Sequence, residues 1–305
     1  MKWDDTRRSE NVEDQRGNDP QSAGGGGGLG QMLGGGGRMG IGAIIIAGLL
    51  SYFTGINFNT ILGFEQMFTG GGGGGSISRT NMPQPGSRSG VPADQMGNFA
   101  AAVMGETEDV WGKILPAQKN IRYTPPKLVL FSGSTSSGCG KAESAMGPFY
   151  CPEDQKVYLD MEFFQEMRTR FGGGGDFAYA YVIAHEVGHH IENQLGILPK
   201  IQQMQEQASS QAQSNALSVR VELLADCFAG VWAFNANAQF KILENGDVEK
   251  AIATAQAIGD DHLQQQARGR VSPENFTHGS SADRQKWLMT GLQSGQIDAC
   301  LPLVR

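Results

Sequence analysis

The sequence has no run of Lys or Arg that could form a basic stripe, although 24 of its 305 residues are basic. Its formal net charge is −7. Proteins that bind nucleic acid need clustered positive charge to neutralise phosphates, so nucleic acid is excluded as a partner. The sequence also lacks any Cys-x-x-Cys pair, and a structural zinc knuckle built on that motif is therefore not supported.

Cysteine is scarce, with four residues in the whole chain. Cys139 and Cys151 are twelve positions apart among Gly and Pro residues, a spacing that suits a disulfide closing a loop. Cys227 and Cys300 would form the second pair. An even number of cysteines favours two disulfides in an exported domain. Four free buried thiols are the alternative, and four cysteines allow three pairings.

Apolar residues are sparse in the first third of the chain, where many of the 44 Gly residues occur in runs. Low-complexity Gly-rich sequence cannot bury apolar surface and behaves as a flexible chain. We therefore expect residues 1–38 to be a disordered segment and residues 57–90 to be a Gly/Ser/Pro-rich linker. Residues 91–305 have a length that suits one domain.

Between the two Gly-rich regions, "MGIGAIIIAGLLSYFTGI" (residues 39–56) carries no charge. About 18 apolar residues is the lower limit for a helix that spans a bilayer. A buried core helix is the alternative, but the flanking sequence offers nothing to pack against. Arg38 precedes the run and the next basic residue is Arg79, so the positive-inside rule places the N-terminus in the cytoplasm. Residues 91–305 would then lie in the periplasm or outside the cell, anchored by one inner-membrane helix.

The 91–305 region combines helical and strand patterns. Long stretches with apolar residues at helical spacing predict several helices, whereas "KLVLFSG" and "KVYLD" are typical of short strands. Either strand could lie at the edge of a sheet and pair with an extended peptide. The Gln-rich residues 200–215 are polar all round and are expected to form a mobile helix or a cover. The fold class predicted is α+β, mostly helical with a small sheet.

One of these helices carries the strongest motif, "AYVIAHEVGHHIENQ". In a helix, positions i and i+4 share one face, so His185 and His189 can present two imidazoles to one metal ion. Glu186 lies beside the first histidine and can reach a water molecule at the metal rather than the metal itself. Burying these polar side chains without a partner would cost several kcal/mol. The pattern therefore indicates a catalytic zinc helix with Glu186 as the general base.

A catalytic zinc site needs a third protein ligand and one open position. The metzincin extension is excluded, because Glu192 and Leu195 occupy the positions of its Gly and His. A carboxylate from a later helix is the other common solution. "VELLAD" supplies Glu222 and Asp226 on an otherwise apolar helix, with Glu222 as the expected ligand. Asp226 is expected to accept a hydrogen bond from the second nitrogen of a ligand histidine.

These motifs resemble a known family. His-Glu-x-x-His followed by Glu-x-x-x-Asp is the gluzincin pattern of zinc metallopeptidases. More narrowly, the chain resembles the membrane-anchored, YpfJ-like neutral zinc metallopeptidases of bacteria over nearly its whole length, in "NVEDQRG", "CGKAESAMGPFYCP", "YVIAHEVGHHIENQLG", "SVRVELLADCFAGVWA" and "FTHGSSADRQKW". The resemblance implies a zincin-like catalytic domain. It also implies zinc bound by His185, His189 and Glu222, with Glu186 as the catalytic residue.

Three further histidines are interpreted differently. His190 lies about 140° round the helix from His185, so it is expected to pack or hydrogen bond behind the site. His262 is expected on the surface. His278, in "FTHGSS" before a late helix, is a candidate to stabilise the developing oxyanion. Other candidate donors in the cleft are Tyr179, Tyr181 and Arg220.

The expected function is zinc-dependent hydrolysis of peptide bonds in a peptide or protein substrate. One alternative is a membrane-tethered metal-binding protein that recognises a partner without hydrolysis. A second alternative is a zinc hydrolase of another amide, such as a cell-wall cross-link.

Overall fold

The computed structural model describes residues 1–16, 87–170 and 174–304. The predicted transmembrane helix at 39–56 lies outside the described residues, as does the predicted linker except for its last residues, 87–90. Among the residues that are described, no helix has both the length and the apolar character needed to cross a membrane.

The described part of the chain is mostly helical with a small sheet, which confirms the α+β prediction. The helices are α1 (Gln95–Lys119), α2 (Glu162–Arg170), α3 (Asp176–Gln194), α4 (Ile197–Glu206), α5 (Gln211–Phe240), α6 (Asp247–Ala257), α7 (Asp260–Arg268) and α8 (Ser281–Ser294). Short 3-10 turns cover Ser144–Met146, Pro273–Asn275, Ile297–Ala299 and Leu301–Leu303.

The main sheet has five strands, which are β1 (Val12–Asp14), β2 (Arg88–Ser89), β3 (Lys127–Phe131), β6 (Phe149–Cys151) and β7 (Lys156–Asp160). Their order across the sheet is β2-β1-β3-β7-β6. The three central strands are parallel, and β2 and β6 are antiparallel to their neighbours. A separate hairpin joins β4 (Ser134–Ser137) to β5 (Gly140–Glu143).

Residues 1–16, the N-terminal arm, belong to the folded domain. Val12 pairs with Leu128 in the sheet and is 1% exposed. Trp3 packs edge-on against Phe99 of α1, with ring centroids 5.4 Å apart. The prediction that residues 1–38 are entirely disordered was therefore wrong for the arm. The prediction of disorder was based on Gly runs that lie after residue 16, whereas "NVEDQ" contains the strand β1.

The two strands predicted from the sequence are present, but neither lies at an edge. β3 hydrogen bonds to β1 and β7, and β7 hydrogen bonds to β3 and β6. Among the strands that the structure describes, the free edge next to the motif helix belongs to β6, and the edge prediction was wrong in this respect. Strand order depends on contacts between distant segments, which a local pattern does not contain.

Helices α3 and α5 lie side by side and bring the motifs together. A Cβ added at Gly188 of α3 would lie 3.0 Å from the Ala225 carbonyl oxygen of α5, so glycine permits this close approach. Ser210 caps α5 by accepting a hydrogen bond from the Gln213 backbone N–H. The helix therefore begins inside the Gln-rich stretch. Residues 200–206 of that stretch lie in α4, which confirms a helix there, but the buried Ile201 contradicts a surface that is polar all round.

Two disulfides are formed, and both expected pairings are confirmed. Cys139 is bonded to Cys151, and Cys227 of α5 is bonded to Cys300 near the C-terminus. The second bond joins two segments that are 73 residues apart in sequence.

Candidate metal centre

The three predicted ligands come together. One ligand atom from each of His185, His189 and Glu222 lies within 4.8 Å of the others, and all three residues are buried. Nε2 of His185 is 3.3 Å from Oε2 of Glu222, and Nε2 of His189 is 3.6 Å from its Oε1. The i, i+4 spacing on α3 supplies the two imidazoles, and the packing of α5 against α3 supplies the carboxylate.

The outer nitrogen of each histidine is held by a second carboxylate. Nδ1 of His185 lies 2.9 Å from Oδ1 of Asp226, and Nδ1 of His189 lies 2.9 Å from Oε2 of Glu192. A carboxylate on Nδ1 places the ring proton there and leaves the Nε2 lone pair free. Asp226 has the predicted position. Glu192 was not predicted in this role, although its i+3 spacing from His189 is a local signal.

Asp226 is itself held by two further side chains. The Tyr181 hydroxyl donates to its Oδ1 at 2.6 Å. Arg284 of α8 donates from Nε to Oδ2 at 2.9 Å and from Nη2 to Oδ1 at 3.0 Å. Tyr181 was among the candidate cleft donors and instead supports the site from behind. Arg284 was not anticipated, because α8 is distant in sequence and approaches the site only through its packing on α5.

The electrostatics of the site favour an anionic ligand carboxylate. Burial acts to raise the pKa of Glu222, but the hydrogen bond from His185 and the nearby histidine charges outweigh burial and lower it to about 2. Burial acts to lower the pKa of His185, and its bonds to Asp226 and Glu222 raise it to about 10. The neighbouring carboxylates therefore stabilise positive charge at this site, as a proton on His185 or as a metal ion.

Glu186 lies beside this cluster and is 6% exposed. Burial raises the pKa of its carboxyl group, while the charges of His185 and His189 oppose the increase. The backbone N–H of Tyr150 in β6 also acts to lower this pKa by hydrogen bonding. Oε2 of Glu186 has no hydrogen-bond partner among the described residues. A buried carboxylate with a free oxygen can accept a proton.

His278 lies in the loop before α8, over the part of α5 that carries Glu222. Asp260 organises this loop, because its Oδ2 accepts the backbone N–H groups of Thr277, His278 and Gly279 at 2.6–3.0 Å. Its Oδ1 lies 3.2 Å from Nδ1 of His278. Nε2 of His278 is buried and has no partner in the described structure. Asp260, a residue not predicted, thus leaves this nitrogen free.

Two other histidines have the predicted surroundings. Nδ1 of His190 lies 2.9 Å from the Tyr150 hydroxyl, and its Nε2 lies 2.6 Å from the Thr124 carbonyl oxygen, so His190 faces away from the ligands. His262 is exposed. The remaining cleft candidates do not form part of the cluster, since Tyr179 stacks on Phe164 and Arg220 is exposed.

These side chains fit a zinc ion. Nε2 of His189 and Oε1 of Glu222 are buried and have no hydrogen-bond partner in the described part of the chain, although most buried polar atoms have one. Two imidazole nitrogens and one carboxylate oxygen form a ligand set of catalytic zinc sites. A zinc ion would satisfy the unpartnered atoms, and the second carboxylates already orient both rings for it.

Comparison with known proteins agrees with this geometry. The family model described as "putative neutral zinc metallopeptidase" matches residues 1–302. The chain is 43% identical to the Escherichia coli (strain K12) protein YpfJ over 301 residues, 98% of each chain. It is also 43% identical to the Mycobacterium tuberculosis (strain H37Rv) protein Rv2575 over 224 residues, 70% of this chain and 73% of that protein. No solved structure matches the chain.

Zinc is the metal that this family implies, and His185, His189 and Glu222 are the group in the described chain that could bind it. On the extent of these matches, the chain belongs to the neutral zinc metallopeptidase family.

Proposed function

We propose that this protein hydrolyses peptide bonds as a zinc-dependent peptidase, with Glu186 as its general base. The observation that carries the proposal is the buried Glu186 carboxylate beside the His185, His189 and Glu222 cluster, because its Oε2 has no hydrogen-bond partner among the described residues. A site that only stored or sensed a metal would have no use for this base. When bound, zinc supplies a Lewis acid that activates water and polarises the scissile carbonyl.

The protein groups then have separate tasks. Glu186 accepts a proton from the attacking water and passes it to the leaving amine. Nε2 of His278 donates a hydrogen bond to the carbonyl oxygen as negative charge develops on it. Burial acts to lower the pKa of His278, but the charge of Asp260 and the hydrogen bond to it raise that pKa, which favours the donor form.

The free edge of β6 is the proposed binding position for the substrate main chain. An extended peptide can pair with an exposed strand edge through backbone hydrogen bonds. The Tyr150 hydroxyl of β6 contacts His190 and Asn193 of the helix that carries Glu186, so this edge lies beside the motif helix. A peptide paired with β6 would therefore lie across the site, which favours an unfolded or extended segment as the substrate.

The test is cleavage of a mixed peptide library by the full chain, with zinc content measured on every sample. Glu186→Gln should retain zinc and lose roughly 10²–10⁴-fold in cleavage rate. Glu249→Gln, which neutralises an exposed carboxylate on α6, should cleave at the normal rate. If all three proteins bind zinc and none cleaves a peptide, the proposal fails. The cell-wall amide hydrolase and the non-hydrolytic binding protein would then be tested in its place.

A further inference from the structure

A hydrogen-bonded connection behind the candidate site joins the motif helix to the free edge of β6. His190 of α3 contacts the Tyr150 hydroxyl at 2.9 Å, and Nδ2 of Asn193 donates to the same hydroxyl at 3.0 Å. His190 also contacts the Thr124 carbonyl oxygen at 2.6 Å. These groups lie outside the proposed proton-transfer machinery.

The partners determine the direction of each hydrogen bond. A carbonyl oxygen can only accept, so Nε2 of His190 carries the proton and donates to Thr124. Nδ1 must then accept, and the Tyr150 hydroxyl donates to it. The same hydroxyl oxygen accepts from Asn193. Nε2 of Gln194 also contacts His190 and donates to the Thr124 carbonyl oxygen at 2.7 Å. A network in which several groups share partners in this way favours one geometry.

Tyr150 contacts α3 through its hydroxyl, which is held by His190 and Asn193. Both of these residues lie on the helix that carries Glu186. We propose that His190, acting through Tyr150, is a positioning residue that sets the distance between the free edge of β6 and Glu186. This inference rests on the proposed function, because the edge matters only if a peptide pairs with it. The second histidine of "HH" would thus position the substrate rather than the metal.

The test compares Tyr150→Phe with Tyr158→Phe. The control removes a buried hydroxyl that donates to Asp154 at 2.6 Å from the neighbouring strand, away from α3. Hydrogen exchange at the amides of Phe149–Cys151 should rise about 5–10-fold in Tyr150→Phe, in line with one lost hydrogen bond, and stay unchanged in the control. His190→Gln should give the same pattern. Zinc content should be unchanged in all variants.

Kinetics supply the second measurement. In Tyr150→Phe, KM for long peptides should rise about 5–10-fold, while kcat for a short reporter stays within about 2-fold. Equal exchange in Tyr150→Phe and Tyr158→Phe would overturn the positioning role. If the wild type cleaves nothing, the proposed function fails, and the exchange result still decides whether the connection holds β6.

An independent observation concerns the side of the membrane on which each part of the chain lies. β1 of the N-terminal arm pairs with β3 on one side and β2 on the other, with Asp14 opposite Arg88. The backbone N–H of Ser9 also donates to Ala101 of α1 at 2.8 Å. The chain therefore leaves the sheet after residue 14 and returns to the same place at residue 88.

Strands that hydrogen bond to each other share one compartment. We infer that residues 1–16 and 87–304 lie on the same side of any membrane to which the protein is attached. The predicted arrangement, with a cytoplasmic N-terminus and an exported catalytic domain, would require a bilayer between β1 and its partners, which is incompatible with this sheet.

The test uses single cysteines in the full chain, introduced as Asp4→Cys in the arm or Lys200→Cys on α4, both exposed positions. Intact bacterial cells are treated with a membrane-impermeant maleimide, and permeabilised cells serve as the control. Both positions should be labelled in intact cells, or both should be labelled only after permeabilisation. Labelling of one position and protection of the other would overturn the inference.

Discussion

At the scale of single residues, Asp226 is the most constrained side chain of the site. It accepts from His185, Tyr181 and Arg284, and it is completely buried. The sequence could identify it, because its i+4 spacing from Glu222 is local. The partners that hold it could not be paired with it from the sequence, since Arg284 is 58 positions away.

We expect Asp226→Asn to weaken zinc binding about 10–100-fold, because an amide orients the His185 ring less strongly than a carboxylate. The variant also leaves the buried Arg284 charge without its partner, so the melting temperature should fall. Zinc affinity is measured by competition with a chelator at fixed pH, with Glu249→Gln as the control. Unchanged zinc affinity would show that Asp226 does not orient the ligand.

Glu106 of α1 gives a second prediction at this scale. It is 1% exposed beneath the N-terminal arm, and burial raises its pKa to about 8 from the usual 4.5. Between these values the folded state keeps a proton that the unfolded state has released, so stability falls as pH rises from about 4.5 to 8.

Glu106→Gln removes this titration. The variant should therefore gain stability relative to the wild type as pH rises, by at most about 1.4 kcal/mol per pH unit, with no further gain above pH 8. Denaturant unfolding at several pH values measures the difference. Parallel curves for the two proteins would mean that Glu106 is ionised in the fold.

At the scale of elements, α8 and α5 cross at two glycines. A Cβ at Gly291 would lie 1.9 Å from the Cys227 carbonyl oxygen, and a Cβ at Gly230 would lie 2.2 Å from that of Leu288. Backbone atoms cannot move aside as a flexible side chain can. The same crossing places Arg284 of α8 next to Asp226 of α5. The packing of these two helices and the geometry of the metal centre therefore depend on the same contact.

Gly291→Ala should therefore destabilise the fold by about 1–3 kcal/mol or more, as overpacking does. Gly112→Ala is the matched control, because its Cβ would meet nothing within 4 Å and it lies inside α1. Alanine there should stabilise the helix by about 0.5–1 kcal/mol. Thermal and denaturant unfolding compare the two. Equal stability would indicate that the helices can separate at little cost.

The elements themselves were largely predictable, because helical and alternating patterns are local. Ser280 caps α8 by accepting from the Asp283 backbone N–H, which is a local contact. Asp176, the first residue of α3, instead accepts from Trp3 at 2.9 Å. That contact depends on the N-terminal arm, which the composition of the first 38 residues had concealed.

At the scale of the whole molecule, the two disulfides close loops of very different length. Cys227–Cys300 joins residues 73 apart, and Cys139–Cys151 joins residues 12 apart. Closing a longer loop removes more entropy from the unfolded chain. Replacing Cys227 and Cys300 with Ala should therefore lower the free energy of unfolding by about 1.6 kcal/mol more than replacing Cys139 and Cys151 with Ala. Chemical denaturation of both double variants measures this, and a larger loss from Cys139→Ala/Cys151→Ala would contradict it.

The sequence by itself determined the chemistry of the metal centre. His185, Glu186 and His189 lie within one helical turn, and Glu222 and Asp226 within another, so their spacing alone identified the ligand types. Only the tertiary structure decided that β6 forms the free edge, that Glu192 and Arg284 support the ligands, and that the N-terminal arm completes the sheet. The physical reason is the distance along the chain over which each feature is determined. Helical periodicity is set by neighbouring residues, whereas strand order and helix crossings are set by contacts between segments far apart in the chain.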